Sequence, residues 1–205
     1  VALFGALAFV ISRGMRSETT TGMSERQAEL AAVDIISYGQ RLERAVGMLQ
    51  RNGTSENDIS FDNPIVSGYI HTPAQPDTHN IFHSAGGKVN WQSPASNVND
   101  GSPWHFTGRS CITGLGTGGA GCGLDSVSNE ELIAVLPNIK ASVCQTIDKK
   151  LGIAAIPANS GGAYSATKFT GAFTDGSEIT LPTAYNAACY SQGGAYHFYY
   201  ALLSR

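Results

Sequence analysis

The sequence predicts an α+β protein: a long N-terminal helix lying on a loop-rich antiparallel β-sheet head, with a second helix near residues 138–151. Three observations carry this. Residues Val1–Ile11 (V-A-L-F-G-A-L-A-F-V-I) hold no charge. An amphipathic pattern then runs to about Gly53. Behind it, Gly, Ser, Thr and Asn dominate, with short apolar runs between turn residues.

The apolar start comes first. A helix rises about 1.5 Å per residue, so Val1–Ile11 covers roughly 17 Å, short of the ~20 apolar residues that cross a bilayer. Arg13 and Arg16 follow it instead of a small-residue cleavage site, which argues against a secretory signal peptide. The run reads as the end of a membrane segment whose first residues precede Val1, as a helix that buries itself against its own copies, or as both. Gly14 and Thr19-Thr20-Thr21-Gly22 are poor helix formers, so a break is expected within residues 14–22.

Ser24 then starts a clean helix, with Gln27 three residues on to complete a capping box. Ala28, Ala31, Ala32, Ile35, Leu42, Val46 and Leu49 recur at the spacing of one helical face, with Tyr38 and Gly39 between them. Asn52-Gly53 is the expected stop. The domains are therefore 1–23, apolar helix; 24–53, amphipathic helix; and 54–205, head. In the head, short strands are expected at 57–61, 66–71 and 88–92 and an apolar one at 131–136, stopped by Pro137. The second helix is expected to turn Val143, Cys144, Ile147 and Leu151 inward and to end at Gly152. Residues 195–203 form an aromatic strand.

Composition excludes some functions. Net charge is -3 and only 14% of residues are charged, so no nucleic-acid partner is predicted. Four cysteines without C-x-x-C spacing argue against zinc and thioredoxin-like chemistry. Behind a membrane-type segment they point to an oxidising compartment. Of the three possible pairings, Cys111–Cys122 and Cys144–Cys189 are favoured: the first closes a short glycine loop, the second ties the C-terminal region to a helix.

Several motifs are literal matches without their context. Gly116-Thr-Gly118-Gly-Ala-Gly121 lacks the strand before and the helix after that a dinucleotide site needs. Ser165-Ala-Thr-Lys168 lacks the companion motifs of penicillin-binding enzymes. His71, His79 and His83 have ligand-like spacing, but Pro73 and Pro76 interrupt the helix that would align them. Asn97, Asn99 and Asp100 match a calcium loop poorly. Trp91, Trp104, Tyr164, Tyr190, Tyr196 and Tyr199 read as core rather than as a sugar-binding surface. No metal, no cofactor and no catalytic group is predicted. Asn52-Gly53-Thr54 is a sequon, which makes Asn52 a candidate for glycosylation.

The apolar run, the weak segment at Gly14–Gly22 and the amphipathic continuation to Gly53 resemble the N-terminal quarter of type IV pilins and pseudopilins. A strand-rich head with a disulfide near its C-terminal end also fits. The family's glycine cleavage site and the glutamate in its apolar start do not appear in this sequence. The resemblance implies a membrane-anchored precursor, held in the inner membrane before assembly, and then a helical homopolymer with the N-terminal helices at its core. It thus implies a non-enzymatic structural subunit of an extracellular filament at the cell surface. The alternatives are a minor pilin or pseudopilin of a secretion or uptake machine, or a membrane-anchored surface enzyme or lectin.

The predicted assembly interface is Val1, Leu3, Phe4, Leu7, Phe9, Val10 and Ile11, with Arg13, Arg16 and Glu18 at its edge. Burying such side chains against copies of the chain supplies about 1.5–3 kcal/mol each, and a repeated heterologous contact that does not close gives a fibre. The arginines are expected to pair with Glu18 or Glu25, because an unpaired buried cation is costly.

Overall fold

A computed structural model describes residues 24–116, 122, 130–174 and 176–205. The first element is helix α1 (Glu25–Arg51, 27 residues). Its start is the reciprocal capping box that the sequence predicts. The Gln27 backbone N–H donates to Ser24 Oγ at 3.3 Å, and the Ser24 N–H donates to Gln27 Oε1 at 3.1 Å. Two orphan donors of the first turn are thereby satisfied. At the other end the Asn52 N–H bonds Met48 and Leu49 carbonyls, and Gly53 leaves the helix at φ 92°, a conformation that glycine adopts without strain.

The head is a five-stranded sheet in the order β3-β1-β2-β5-β4. Its strands are β1 (His105–Ile112), β2 (Glu131–Leu136), β3 (Ser177–Ile179), β4 (Ala187–Gln192) and β5 (Ala195–Leu203). Helix α2 (Ala141–Lys150) lies between β2 and β3 in the chain. Pairing is antiparallel from β1 through β4, but the edge strand β3 runs parallel to β1, so the sheet is mixed.

The sheet is covered on both faces, and period-two alternation shows how. Leu132, Ala134 and Leu136 of β2, with Phe198 and Tyr200 of β5, join the core under the two helices. Ile133 and Val135, with Tyr199 and Ala201, join a second core with Ile112, Ile153, Ile179 and Leu181. Coil on either side of β3, not helix, supplies Ile153, Leu181 and Tyr164 to that cover. Strand β2 is buried along its whole length, which is why it reads as a continuous apolar run.

Helix α1 contributes Ala28, Ala32, Ile35, Leu42, Val46 and Leu49 to the first core, and Ala31 of the predicted face is half-buried. Gly39 is there for a close approach. A Cβ at this position would stand 2.4 Å from Tyr200 Cδ2, below any real contact. The ring lies against the helix and its hydroxyl donates to Glu43 Oε2 at 2.7 Å. Gly39→Ala should therefore destabilise the protein: overpacking costs about 1–3 kcal/mol, against ~1 kcal/mol gained in helix propensity. An unchanged or raised denaturant midpoint would show that Tyr200 moves freely.

The region between α1 and β1 departs from expectation. None of the strands expected at 57–61, 66–71 and 88–92 forms. Residues Glu56–Asp58 and Asp77–His79 are short 3-10 turns, and one isolated bridge joins Ser60 to Asn80. Tertiary packing replaces ladder pairing there. Phe61 stacks on Phe106 at 4.3 Å, and Tyr69 caps the Phe106 backbone N–H through its hydroxyl. Strand β1 lies where no strand is expected from the sequence. Its register shifts between Thr107 and Ser110, where Gly108 admits the Phe169 ring.

Candidate functional site

The residues expected to carry assembly, Val1, Leu3, Phe4, Leu7, Phe9, Val10, Ile11, Arg13, Arg16 and Glu18, lie outside the described residues, as does the expected break at 14–22. What the structure describes is the helix that follows them in the chain. Leu30 and Val33, 62% and 46% exposed, stand one turn apart on the side of α1 turned from the sheet. They sit in the N-terminal half of the helix. Glu25, expected to pair with an arginine, is exposed and makes no ion pair among the described residues. No described helix is long and apolar enough to cross a membrane.

Both favoured disulfides are present: Cys111–Cys122 and Cys144–Cys189, and no free cysteine is found among the described residues. Two disulfides are what an oxidising, extracytoplasmic environment produces. Asn52 is exposed at the end of α1, accessible for a glycan, while Thr54 is buried.

The chemical motifs do not assemble into sites. His71 is buried beside Phe169, His79 meets Gln75, and His83 pairs with Asp77 at 3.5 Å, so the three rings do not converge. Asn99 donates to the Ser102 and Pro137 carbonyls, and Asp100 accepts from Ser102 and Asn138. Those groups serve turn geometry. No cluster of three metal-ligating side chains occurs among the described residues. Ser165 lies in coil, and Lys168 donates away from it to the Ser67 carbonyl. Residues 117–121 of the glycine motif lie outside the described residues.

Two of the three buried carboxyls among the described residues, Glu131 and Asp148, are fully sealed in the core and were not singled out from the sequence. Glu131 Oε2 accepts from the Ile112 N–H at 2.7 Å, and Asp148 Oδ1 accepts from the Cys189 N–H at 2.8 Å. The other oxygen of each has no hydrogen-bond partner. Burial pushes Glu131 up to about 8 and Asp148 up to about 7; the backbone donors oppose that rise but do not cancel it. Both side chains are sealed, 0% and 1% exposed, so neither reaches a substrate. They are buried acids whose protonated form the fold favours.

One concave surface gathers three cationic side chains. A groove of about 640 Å³ lies between the C-terminal half of α1 and residues 87–92. Arg41, Arg44 and Lys88 line it, together with Asn90, Trp91 and Gln92. In the sequence these cations are only parts of a solvated helix face and of an expected strand. Their convergence depends on the coil that brings residue 88 back to α1. Of the aromatics considered for a sugar surface, Trp104, Tyr190 and Tyr199 are buried, whereas Trp91 stays half-exposed at this groove.

Comparison with protein-family models, curated proteins and solved structures finds no match to this chain.

Proposed function

We propose that the chain is a structural, non-catalytic subunit of an extracellular pilin-like filament, assembled as a helical homopolymer through Val1–Ile11. The observation that carries this reading is the placement of α1. Its capped start follows directly on residues 1–23, one face is spent on the sheet, and Leu30 and Val33 stay uncovered on the other. The folded body thus keeps an uncovered apolar pair on the helix that follows the uncharged run in the chain. A mere tether needs no such 27-residue helix welded to the core.

The two disulfides suit a subunit that works outside the cell, and the sealed carboxyls offer no reacting group. On this reading the inner membrane houses the precursor, and the filament is where the apolar run is buried afterwards. Electron microscopy of the full chain tests it. Fibres with parallel helices at their centre are expected. Leu7→Asp or Phe9→Asp should abolish them, because each charge would have to be buried unpaired. Fibres persisting in both variants would defeat the assembly model, and discrete particles from the unaltered chain would favour an anchored surface domain.

A further inference from the structure

The groove between α1 and residues 87–92 is unusual in its charge. Arg41, Arg44 and Lys88 enter it, and no acidic side chain lines it. None of the three forms a salt bridge in the structure, whose ion pairs among the described residues are His83–Asp77 and Arg205–Glu56. A concentration of like charge without counter-charge destabilises the folded chain slightly, and it is relieved by an anion.

Two of the cations are held in place. The Arg41 guanidinium donates to Gln92 Oε1 at 2.6 Å and lies 5.4 Å from the centre of the Tyr38 ring. Tyr38 in turn accepts from the Gln92 N–H, so the arginine is fixed from both walls of the groove. Lys88 is held by its backbone. Its φ is 58°, and the described residues use glycine at nine other positive-φ positions. Only Asn138, a residue type that tolerates this conformation, shares the exception. The strain is imposed from behind. Gly86 and Gly87 pack so tightly that a Cβ would meet the Asn80 and Ile81 carbonyl oxygens, while the Lys88 N–H bonds the His83 carbonyl. Glycine would be the relaxed choice at residue 88. A lysine there keeps a charge in the groove at a cost in backbone energy, and such outliers gather at ligand clamps.

The rest of the lining selects among anions. Trp91 offers a half-exposed apolar surface, and Asn90 and Gln92 bring amide groups, a set suited to hydroxyl-bearing rings. The volume falls in the range of small-ligand sites, about 300–1,000 Å³. A nucleic-acid strand would need a run of stacking platforms, and the groove offers one aromatic ring. We infer that this groove binds a short acidic saccharide, its carboxylate or sulfate groups held by Arg41, Arg44 and Lys88 and a sugar ring set against Trp91. The inference does not depend on filament assembly.

The test is calorimetric titration of the full chain at low salt. The probes are an oligogalacturonate, a heparin-derived oligosaccharide, a neutral cello-oligosaccharide of equal length and a single-stranded oligonucleotide. One or both acidic saccharides should bind, and which one does separates carboxylate from sulfate recognition. The neutral sugar should not bind, and affinity should fall with ionic strength. Arg44→Gln and Lys88→Gln should each weaken binding about tenfold, the scale of one charge-assisted contact. Arg51→Gln, on the same helix outside the groove, should leave it unchanged. Lys88→Gly separates charge from fold: it relieves the backbone, so thermal stability should rise while binding weakens as much as in Lys88→Gln. Equal binding of the neutral sugar, tighter binding of the oligonucleotide, no binding of any probe, or full binding by Lys88→Gly would each overturn the proposal.

Discussion

Between pH 6.5 and 8 two buried acids should cost the protein about 2 kcal/mol of stability, and Glu131→Gln with Asp148→Asn should remove most of that loss. Burial raises these carboxyls from ordinary values of 4.5 and 3.8 to about 8 and about 7. In the unfolded chain both are ionised by pH 6.5. In the folded chain Glu131 keeps its proton up to about pH 8 and Asp148 up to about pH 7. The native state then holds more protons than the unfolded state, so stability falls as pH rises, about 1.4 kcal/mol per pH unit for each acid still protonated. The fall begins near the unfolded pKa values and ends above the folded ones. The chosen window favours it. Burial lowers His71, His105 and His197, and a ring whose pKa falls on folding adds stability as pH rises, in the opposite direction to the acids. That counter-effect fades above pH 6.5, the ordinary histidine value, and the double variant separates it from the acids. Urea midpoints at half-unit pH steps measure the slope. A flat or rising profile in the unaltered protein, or the same slope in the double variant, would refute the assignment. Glutamine and asparagine keep an oxygen for the Ile112 and Cys189 N–H groups, so the variants need not lose those bonds.

These acids also mark where sequence reasoning stops short. The inner face of α2 is legible as Val143, Cys144 and Ile147, and Asp148 follows Cys144 by four residues, which places it on the same face. The spacing was there, but a carboxylate beside Lys149 and Lys150 reads as part of a solvated end. Glu131 opens a wholly apolar strand, and whether its side chain escapes to water depends on the β1 neighbour, which the sequence does not announce. Helix α1 is legible almost to the residue, because a capping box, one apolar stripe and an Asn-Gly stop agree. Strands β2 and β5 are legible because apolar and aromatic runs are local signals. Strand β1 is not: Gly108 and Arg109 interrupt it, and Gly108 is explained only by the distant Phe169 ring. The groove was illegible for the same reason. Arg41 and Lys88 are 47 positions apart, and no periodicity links them.

Replacing Cys144 and Cys189 together by alanine should cost about 4 kcal/mol, the largest loss expected from any one tie in the head. The bridge closes a separation of 45 residues, and the loop-entropy estimate for that length is near this value. Its removal also leaves space at two fully buried positions. The damage should be local first. Strand β4 is an edge strand of the sheet: β5 pairs with it along its length, Ser191 near its end also exchanges backbone bonds with Pro157 and Asn159, and at its centre the Cys189 N–H bonds Asp148 on α2. Without the disulfide, β4 stays fastened to α2 by that bond. Hydrogen exchange should therefore accelerate across 187–192 before it does in β2. Adding Asp148→Ala removes the second tie to the same strand, so the two losses should not add. Cys111–Cys122 spans 11 residues, and breaking it should cost less, about 3 kcal/mol by the same estimate. Purely additive losses from the cysteine and aspartate variants would show that the two ties to α2 act independently. Four free thiols in the unfolded native protein would remove the bridge, and with it the expected order of opening.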